Sequence, residues 1–365
     1  MDLKQPTILL NKTICINNIM SMQAKARSAG VAFRPHFKTH MSAQIGGWFR
    51  NAGVTAITVS SVMMAQYFAD HQWNDITIAF PVNPPEIADI DLLAGKIRIN
   101  LLVETGNMIK LLNKRLTNRC GIFVKVDAGY GRTGIPVHDH KKILLLAKEI
   151  VQYEKLDFMG LLVHNGHTYH TSHPDQIHKI HNKALLVLQE VKNMLEKNRV
   201  PALLSVGDTP SMSLTKNFDG IDEIRPGNFV FYDIMQQKLG ACNYNDIAVV
   251  LACPVVAKHE SRNEAIIYGG AVHLSKDHVA NEAGITIFGE VVMLKNHQWT
   301  MPLRNTYVKS LSQEHGIIRT TSEYLDAIGI GDFIGIMPVH SCLMVSLHSK
   351  MFTTEGREIR TMRCI

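Results

Sequence analysis

The sequence contains no Cys-x-x-Cys pair, no long apolar run and no cluster of basic residues. Its six cysteines lie far apart, at positions 15, 120, 242, 253, 342 and 364, which argues against a disulfide framework and against a zinc ribbon. No apolar segment approaches the roughly 18–20 residues that a membrane span needs, and the first residues lack the pattern of a secretory signal. Because Lys and Arg are spread along the chain, the net charge of +6 is weak evidence for a nucleic-acid partner. We therefore expect a cytoplasmic protein with reduced thiols and with neither a membrane nor a nucleic-acid partner.

The overall amino-acid composition is that of an ordinary folded protein. Of 365 residues, 46% are hydrophobic and 19% are charged, which excludes a disordered chain. The length is too great for one compact core of ordinary size, so we expect one large domain and one smaller domain. Histidine is in excess, with 18 residues. Because histidine titrates near neutral pH and binds metals, this excess is a reason to look for a site.

The first two thirds of the chain predict an α/β fold, a (β/α)8 TIM barrel. Eight β-branched runs are predicted as strands, over 31–36, 55–61, 75–80, 97–104, 121–127, 158–164, 203–207 and 223–230. Helix-like stretches lie between or before them, over 17–28, 62–70, 84–94, 105–116, 138–153 and 175–197. Strands that alternate with helices form parallel βαβ units. Eight such units in about 240 residues fit a barrel better than an open sheet, so we assign residues 1–240 to it, with about the first 15 residues as candidates for the second domain.

The pattern changes after residue 240. Strand-like runs follow one another with turns rather than long helices between them, over 248–257, 265–268, 285–288, 333–337 and 343–347. This pattern predicts a second, β-rich domain over residues 241–365.

The residues after the predicted barrel strands indicate a phosphate-bearing cofactor. Functional groups of a (β/α)8 barrel lie at the C-terminal ends of its strands. Two strands there end in glycine turns, within Ser205-Val-Gly-Asp-Thr-Pro-Ser211 and Arg225-Pro-Gly-Asn228, and the backbone N–H groups of such turns can bind an anion. Lys38 follows the first strand at the same end. A lysine beside a phosphate site suggests a Schiff base with pyridoxal phosphate, whereas an isolated loop lysine is usually only solvated.

One glycine-rich motif is better interpreted as something other than a dinucleotide site. Gly129-Tyr-Gly-Arg-Thr-Gly134 follows a strand and has the G-x-G-x-x-G spacing. In a dinucleotide fold the first strand carries this motif and the next strand ends in an acidic residue that binds the ribose. Here the motif follows the fifth strand, the next strand ends in His164, and an arginine lies inside the loop.

Two histidines stand out from the excess. His164 ends a strand, so it should point into the barrel mouth, where its flat ring could stack on a planar cofactor. In an extended strand, residues two apart point to the same side, so His340 and Cys342 could bind one ion together. Cys with His is a donor pair that suits zinc, and an open two-residue site suits catalysis. A buried cysteine beside a surface histidine is the alternative.

Seven motifs occur together in the order found in one enzyme family. They are Arg34-Pro-His-Phe-Lys-Thr-His40, Gly131-Arg-Thr-Gly134, His164-x-x-His-x-Tyr169, Gly207-Asp-Thr-Pro-Ser211, Glu223-Ile-Arg-Pro-Gly-Asn228, Gln313-Glu-His-Gly316 and His340-Ser-Cys342. In this the chain resembles the D-serine dehydratase / D-threonine aldolase family, fold-type III pyridoxal phosphate enzymes related to alanine racemase. The resemblance covers residues from about 10 to 350 and implies a barrel with a C-terminal β domain, usually a homodimer.

The resemblance also implies a role for individual residues. Lys38 matches the lysine that forms the Schiff base and acts as the base at the substrate Cα, and Arg132 matches an arginine near the phenolic oxygen of the cofactor. His164 matches the residue stacked behind the ring, and Tyr169 matches an active-site tyrosine. The remaining cofactor-binding positions are Gly207, Thr209, Arg225, Gly227 and Asn228. The metal-ligand positions are His340 and Cys342. His315 is a candidate catalytic residue because it lies in a family motif.

The family carries out more than one reaction. Its dehydratases pair His-x-Cys with zinc and convert a β-hydroxy D-amino acid to a keto acid and ammonia, whereas its aldolases pair His-x-Asp with a harder ion, such as Mn²⁺ or Mg²⁺, and release glycine and an aldehyde. Cys342 favours the dehydratase, because thiolate selects zinc. Two other interpretations remain, an amino-acid racemase and a non-catalytic pyridoxal phosphate-binding protein. The first needs a second acid/base that the sequence does not reveal, and the second lacks a β domain.

Overall fold

The computed structural model describes residues 3–364, with only the backbone of Cys364. The chain divides into two compact units. The first, here called the barrel unit, consists of Ser21–Lys38 and Phe49–Gly227. The second, here called the sheet unit, consists of Met1–Met20, Thr39–Trp48 and Asn228–Ile365.

The chain starts with strand β1 (Thr7–Leu10) and helix α1 (Lys12–Ser28) and then enters the barrel strands. These are β2 (Ala32–Phe33), β3 (Ile57–Val59), β4 (Asp75–Pro81), β5 (Arg98–Val103), β6 (Cys120–Asp127), β7 (Ile135–Pro136), β8 (Leu156–His164), β9 (Leu203–Gly207) and β10 (Glu223–Ile224). Eight of them pair in the order β2-β10-β9-β8-β6-β5-β4-β3, and β7 pairs with β6. A parallel bridge between His36 and Thr58 joins the segment after β2 to β3. The prediction of a (β/α)8 barrel with all-parallel strands is confirmed.

The barrel strands are buried on both faces, which is why they are continuous apolar runs rather than alternating ones. In β6, every residue from Cys120 to Val126 is buried. Leu102, Phe123 and Leu162 come from three neighbouring strands and form one core cluster. This packing holds the carboxyl ends of the strands, where the candidate site lies, in a fixed arrangement.

Helices connect the barrel strands. They are α2 (Ala43–Asn51), α3 (Val62–Asp70), α4 (Ile87–Ala94), α5 (Gly106–Arg115), α6 (His140–Ile150), α7 (Pro174–Lys197) and α8 (Thr209–Leu214). A further helix, α9 (Ile234–Lys238), follows the last barrel strand and belongs to the sheet unit. Ser61, Thr105 and Asp139 begin three of them, each accepting a hydrogen bond from a backbone N–H of the first turn. Helices α2, α8 and α9 are short and were not predicted. Among the residues that the structure describes, no helix is long and apolar enough to cross a membrane.

The sheet unit contains β1 and most of the chain after the barrel. Its further strands are β11 (Val249–His259), β12 (Glu264–Tyr268), β13 (Val279–Ala280), β14 (Thr286–Ile287), β15 (Gly289–Val292), β16 (Leu294–Lys295), β17 (Gln298–Trp299), β18 (Tyr307–Leu311), β19 (His315–Arg319), β20 (Phe333–Pro338), β21 (Lys350–Thr353) and β22 (Glu358–Arg360). Its short helices are α10 (Ala271–Leu274), α11 (Ser322–Ala327) and α12 (Ser341–Ser346). Nine strands form one sheet in the order β12-β19-β18-β15-β20-β11-β1-β21-β22, which confirms a β-rich C-terminal region.

One local prediction in this region is wrong. The segments 338–342 and 343–347 were expected to be extended, but β20 ends at Pro338 and α12 begins at Ser341. A short apolar run such as Leu343-Met-Val does not distinguish a strand from a helix by periodicity alone. His340 and Cys342 therefore do not share one side of a strand; His340 is the residue before the first turn of α12, and Cys342 lies in that turn.

Candidate active site and metal centre

The two glycine turns of the barrel unit lie side by side. Strand β9 ends at Gly207, and α8 begins two residues later at Thr209. The Gly227 N–H donates to Thr209 Oγ1 at 3.3 Å, and the Thr209 N–H donates to the Tyr169 hydroxyl at 3.2 Å. A side chain at Gly207 would meet Arg225, whose Cβ would lie 3.1 Å from the added carbon. The structure thus brings together five of the predicted cofactor-binding residues at the two adjacent glycine turns.

Asp208 lies between Gly207 and Thr209 and is buried. Its Oδ1 accepts from the Ser211 N–H at 2.7 Å and from the Thr168 hydroxyl at 3.2 Å, whereas no partner within the described chain contacts its Oδ2. Burial raises the pKa of Asp208 to about 6, although these hydrogen bonds and the charge of Arg225 oppose that rise. The carboxyl is therefore much easier to protonate than an exposed one.

His164 lies at the end of β8 and is held in its neutral form. Its Nδ1 lies 2.5 Å from the carbonyl oxygen of Gly207. Because a carbonyl only accepts, Nδ1 carries the hydrogen. Burial lowers the pKa of His164 well below its usual value, and the nearby charges of Lys38, Arg132 and Arg225 lower it further. Lys38, Arg132 and Arg225 were also assigned to the cofactor from the sequence, and the structure places their charges close to the His164 ring.

Lys38 is exposed, but its backbone is anchored from both sides. The neighbouring Phe37 is fully buried, and its ring contacts those of Phe49, Phe68 and Trp73 at centroid distances of 4.9, 5.0 and 5.1 Å. The Lys38 N–H donates to His36 Nδ1 at 3.3 Å. The amine therefore extends from a rigid turn at the C-terminal end of the first barrel strand.

The loop that carries Arg132 is folded around a carboxylate. Asp127 accepts hydrogen bonds from the backbone N–H groups of residues 129, 130 and 131, at 2.8–3.0 Å. The guanidinium of Arg132 lies over the ring of Tyr130, 5.0 Å from its centroid, an arrangement that stabilises a cation against an aromatic face. Because Asp127 uses these N–H groups, the loop does not present them to a dinucleotide phosphate.

A second group of predicted residues lies in the sheet unit, where α12 begins. Asp233 Oδ2 accepts from the Ser341 N–H at 2.9 Å and from Asn228 Nδ2 at 2.6 Å. Asn228 Nδ2 also lies 3.5 Å from the Sγ of Cys342, and the Thr39 hydroxyl lies 3.2 Å from the same sulfur. The turn that presents Cys342 is thus fixed by buried polar contacts, and Asn228, predicted to bind the cofactor, is part of them.

His340 and Cys342 contact each other through their side chains. His340 Nδ1 lies 3.6 Å from Asp277 Oδ2, and Ser275 donates its hydroxyl proton to that same carboxylate oxygen at 2.7 Å. Burial disfavours a charged imidazole, but Asp277, Cys342 and Asp233 outweigh it and raise the pKa of His340 to about 11. Within the described range no three His, Cys, Asp or Glu side chains are arranged to hold a metal ion. The observed pair is nevertheless the donor chemistry that zinc prefers.

His315 is the remaining predicted site residue. It is the first residue of β19, is exposed, and pairs across the sheet with Tyr268. Its catalytic role stays a prediction.

Several neighbours of the site were not singled out from the sequence. Tyr130 lies near Arg132 in the structure, and Thr39 lies near Cys342. Both residues lie inside quoted motifs, which could have drawn attention to them. Asp277 lies more than 60 residues before His340 in a loop after α10, and no sequence signal links the two. Asp208 lies inside a quoted motif but was given no role, because its burial depends on the packing of α8.

Two family models match most of the chain. Residues 14–234 match the alanine racemase N-terminal domain, and residues 248–354 match a putative serine dehydratase domain. The first match alone covers more than half of the 365 residues.

Individual relatives match over almost their full length. A D-serine dehydratase from Dictyostelium discoideum is 28% identical over 372 aligned positions, which cover 95% of this chain and 92% of the relative. The solved structure of D-threo-3-hydroxyaspartate dehydratase from Delftia sp. HT23 superposes with a TM-score of 0.90 at 21% identity, covering 99% of this chain and 98% of the other. D-threonine aldolase from Filomicrobium marinum gives a TM-score of 0.84 at 19% identity, with 98% and 95% covered.

At these identities the solved structures establish the shared fold, and the family models establish the kinship. Both agree with the motif order of the sequence. The chain belongs to the D-serine dehydratase / D-threonine aldolase family of alanine racemase-like, fold-type III pyridoxal phosphate enzymes, which are lyases.

Proposed function

We propose that this chain is a pyridoxal phosphate- and metal-dependent dehydratase that converts a β-hydroxy D-amino acid, with D-serine as the first candidate, to a keto acid and ammonia. The observation that carries the choice is the contact between His340 and Cys342. A thiolate with an imidazole favours Zn²⁺, whereas a carboxylate in place of the thiol would favour a harder ion such as Mn²⁺ or Mg²⁺. The similarity to dehydratases from Dictyostelium and Delftia supports this choice.

The barrel unit offers a complete set of groups for the cofactor. Lys38 would form the Schiff base, and the turns at Gly207, Thr209 and Gly227 would bind the phosphate, with Asn228 as a further predicted contact. When bound, pyridoxal phosphate supplies an electron sink for the charge left at the substrate Cα. The adjacent glycine turns and the hydrogen bond that fixes the backbone of Lys38 support this assignment, because the phosphate and the reactive carbon need preformed sites.

The residues around these turns would have distinct tasks. Lys38 would take the proton from the substrate Cα once its amine is released. His164 would pack against the cofactor ring as a neutral residue, because its low pKa removes it as a proton acceptor at neutral pH. Arg132, Arg225 and Tyr169 would hold polar edges of the cofactor, and the guanidinium of Arg225 stays cationic although burial lowers its pKa to about 10.

His340 and Cys342 would hold the metal ion, and the ion would supply Lewis acidity to the β-hydroxyl of the substrate. A mutant of a D-threo-3-hydroxyaspartate dehydratase with this fold has been solved in a metal-free form. Binding the ion requires a neutral imidazole and a thiolate, so metal binding would release protons from this pair. The role of His315, the homodimer and the cytoplasmic location remain part of the proposal.

The second candidate function is retro-aldol cleavage to glycine and an aldehyde. Similarity to D-threonine aldolases, including one from Arthrobacter that is 23% identical over 94% of this chain, favours it. In this reaction the same two side chains would hold the ion, but the Cα–Cβ bond would break instead of the Cβ–O bond.

One assay separates the candidates. The purified protein, loaded with pyridoxal phosphate and Zn²⁺, is incubated with D-serine, D-threonine and D-alanine. We expect keto acid and ammonia in equal amounts from D-serine. Aldehyde and glycine from D-threonine would instead establish the aldolase, and racemised D-alanine would establish a racemase. Bound cofactor without any product would contradict a catalytic role.

A further inference from the structure

The side chain of Arg225 is held in one conformation by buried hydrogen-bond acceptors of the barrel unit. Its side chain is almost fully buried. Nε donates to Ser205 Oγ at 2.7 Å, and Nη2 donates to the Val163 carbonyl at 2.6 Å and to the Ser205 carbonyl at 3.3 Å. Three of its five N–H groups therefore have protein acceptors. The remaining nitrogen, Nη1, faces Gly207, where an added Cβ would lie 3.2 Å from it.

The hydroxyl of Ser205 has its direction fixed by its two neighbours. It accepts from Arg225 Nε, so its single proton is free to be donated elsewhere. Glu223 Oε1 lies 2.7 Å away and is the acceptor. A hydroxyl has one donor and two lone pairs, so this arrangement turns a lone pair toward the guanidinium. Ser205 is fully buried, and no water need compete for its proton.

Glu223 is itself held from its other side. Its Oε2 accepts from Arg34 Nε at 2.5 Å, and Arg34 forms a bidentate pair with Asp75 at 2.7 and 3.2 Å. Asp75, Arg34, Glu223, Ser205 and Arg225 therefore form one continuous chain of hydrogen bonds. We call it the arginine relay. Its charges alternate in sign, which lowers the cost of burying the two arginines and Glu223, while Asp75 is half-buried.

The relay gives Arg225 an anionic partner without a direct carboxylate contact. A bidentate pair with Glu223 would use two N–H groups of the guanidinium. With the Ser205 hydroxyl in between, only one N–H is used, and Nη1 stays directed at the glycine turn. This is an arrangement for presenting a buried cation to a ligand rather than for neutralising it.

From this geometry we propose that Ser205 and Glu223 are positioning residues that hold the Arg225 guanidinium toward the cofactor. The inference rests on the proposed function, since it needs pyridoxal phosphate at the Gly207 turn. Ser205 sets the direction of the guanidinium, and Glu223 fixes the hydroxyl of Ser205. Neither residue needs to touch the cofactor.

The test measures cofactor binding to the full-length protein by absorbance titration and follows the absorbance of the bound cofactor against pH. Removing one hydrogen bond to a buried charged group should weaken binding about tenfold or more. We therefore expect Ser205→Ala and Glu223→Gln each to raise the Kd for pyridoxal phosphate about tenfold and to move the pH midpoint of the bound absorbance. Ser205→Thr keeps the hydroxyl and should restore both values.

Glu264 offers a matched control. It is also a buried glutamate between two cations, with Arg262 and Lys309 each 2.8 Å from its oxygens, but it lies on β12 in the sheet unit. Glu264→Gln should lower the thermal stability while leaving Kd and the pH midpoint unchanged. Thermal unfolding of each cofactor-free variant separates loss of folding from loss of positioning, and the isosteric Glu223→Gln carries the test if Ser205→Ala does not fold.

Three outcomes would overturn the proposal. If the unaltered protein binds pyridoxal phosphate and the folded Ser205 and Glu223 variants keep its Kd and pH midpoint, the positioning role is wrong and the proposed function stands. An equal change in Glu264→Gln would likewise reduce the effect to general destabilisation. Failure of the unaltered protein to bind pyridoxal phosphate would instead overturn the proposed function, and this inference with it.

Discussion

The residues predicted to bind the cofactor in the barrel unit and the residues predicted to bind the metal in the sheet unit are held by different means. In the barrel unit, Lys38, Arg132, His164 and Gly207 lie at or after the ends of four different strands, and His164 Nδ1 contacts the Gly207 carbonyl. In the sheet unit, His340 and Cys342 are two residues apart at the start of one short helix. The first site is distributed over a rigid scaffold, whereas the second depends on one turn and the polar side chains behind it. Single changes should therefore have graded effects on cofactor binding and abrupt effects on metal binding, except at Lys38.

The largest effect should come from Lys38. Lys38→Ala removes both the Schiff base and the proposed base at Cα, so we expect turnover to fall by about 10³-fold or more and the absorbance of covalently bound cofactor to vanish. Spectra and steady-state rates measure both. Lys141→Ala on the exposed side of α6 is the control. An unchanged spectrum in Lys38→Ala would remove the cofactor assignment.

The next largest effect should come from Cys342. Cys342→Ala leaves only one proposed protein ligand, so we expect the bound zinc to be lost and turnover to fall about 100-fold or more, while the cofactor spectrum is retained. Elemental analysis measures the metal content of the variant. A strong chelator applied to the unaltered protein tests whether turnover depends on the metal.

Cys242 is the matched control for Cys342, because it is also a half-buried cysteine of the sheet unit. Cys242→Ala should keep both metal and activity. Full activity of the unaltered protein in strong chelator would contradict the metal role of Cys342. Cys342 would then have no more claim to a part in catalysis than Cys242.

A smaller effect is expected at Asp277, whose carboxylate lies 3.6 Å from His340 Nδ1. Carboxylates behind a metal-binding histidine orient its ring, and their loss typically weakens metal binding about 10- to 100-fold. We expect Asp277→Asn to lower zinc affinity toward the lower end of that range, measured by competition with a chromogenic chelator. Asp175, which lies 3.4 Å from the exposed His173, provides the control Asp175→Asn, which should leave zinc affinity unchanged.

The smallest effect on turnover is expected from Asp208, although its effect on stability depends on pH. Burial raises its folded-state pKa from 3.8 to about 6, so the folded protein binds more protons than the unfolded chain between these values. Its contribution to stability is therefore present at low pH and is lost as the pH rises through about 6. Asp208→Asn should raise the free energy of unfolding at pH 8 by at most about 3 kcal/mol and should change it little at pH 4.

Denaturant unfolding of the cofactor-free protein at the two pH values tests this expectation. Asp139 caps α6 in the same way and accepts from the Lys142 N–H at 3.1 Å, so Asp139→Asn is the control for the same substitution at a helix cap. A pH-independent gain in Asp208→Asn would show that the carboxyl does not titrate in this window.

Much of the barrel was predictable because its strands are short, fully buried and separated by amphipathic helices. All eight predicted strands overlap observed ones, and the site residues follow from their ends. The segment after Pro338 was not predictable in the same way. Its apolar residues fit a strand and a helix equally well, and the choice depends on Asp233, which accepts the Ser341 N–H from more than 100 residues away. We expected His340 and Cys342 to lie close together on one side of a strand. They do lie close together, but at the start of a helix.

By itself, the sequence determined the fold class and the kinship, because the alternation of strands and helices and the order of the motifs are local properties of the chain. It also determined the types of residue available, including the lysine, the glycine turns and the pair His340 and Cys342. Only the tertiary structure decided what surrounds them. The neutral state of His164, the easily protonated Asp208, the carboxylate behind His340 and the relay that holds Arg225 depend on burial and on contacts between distant segments. These are the properties that a low local dielectric and long-range packing create, and no local pattern encodes them.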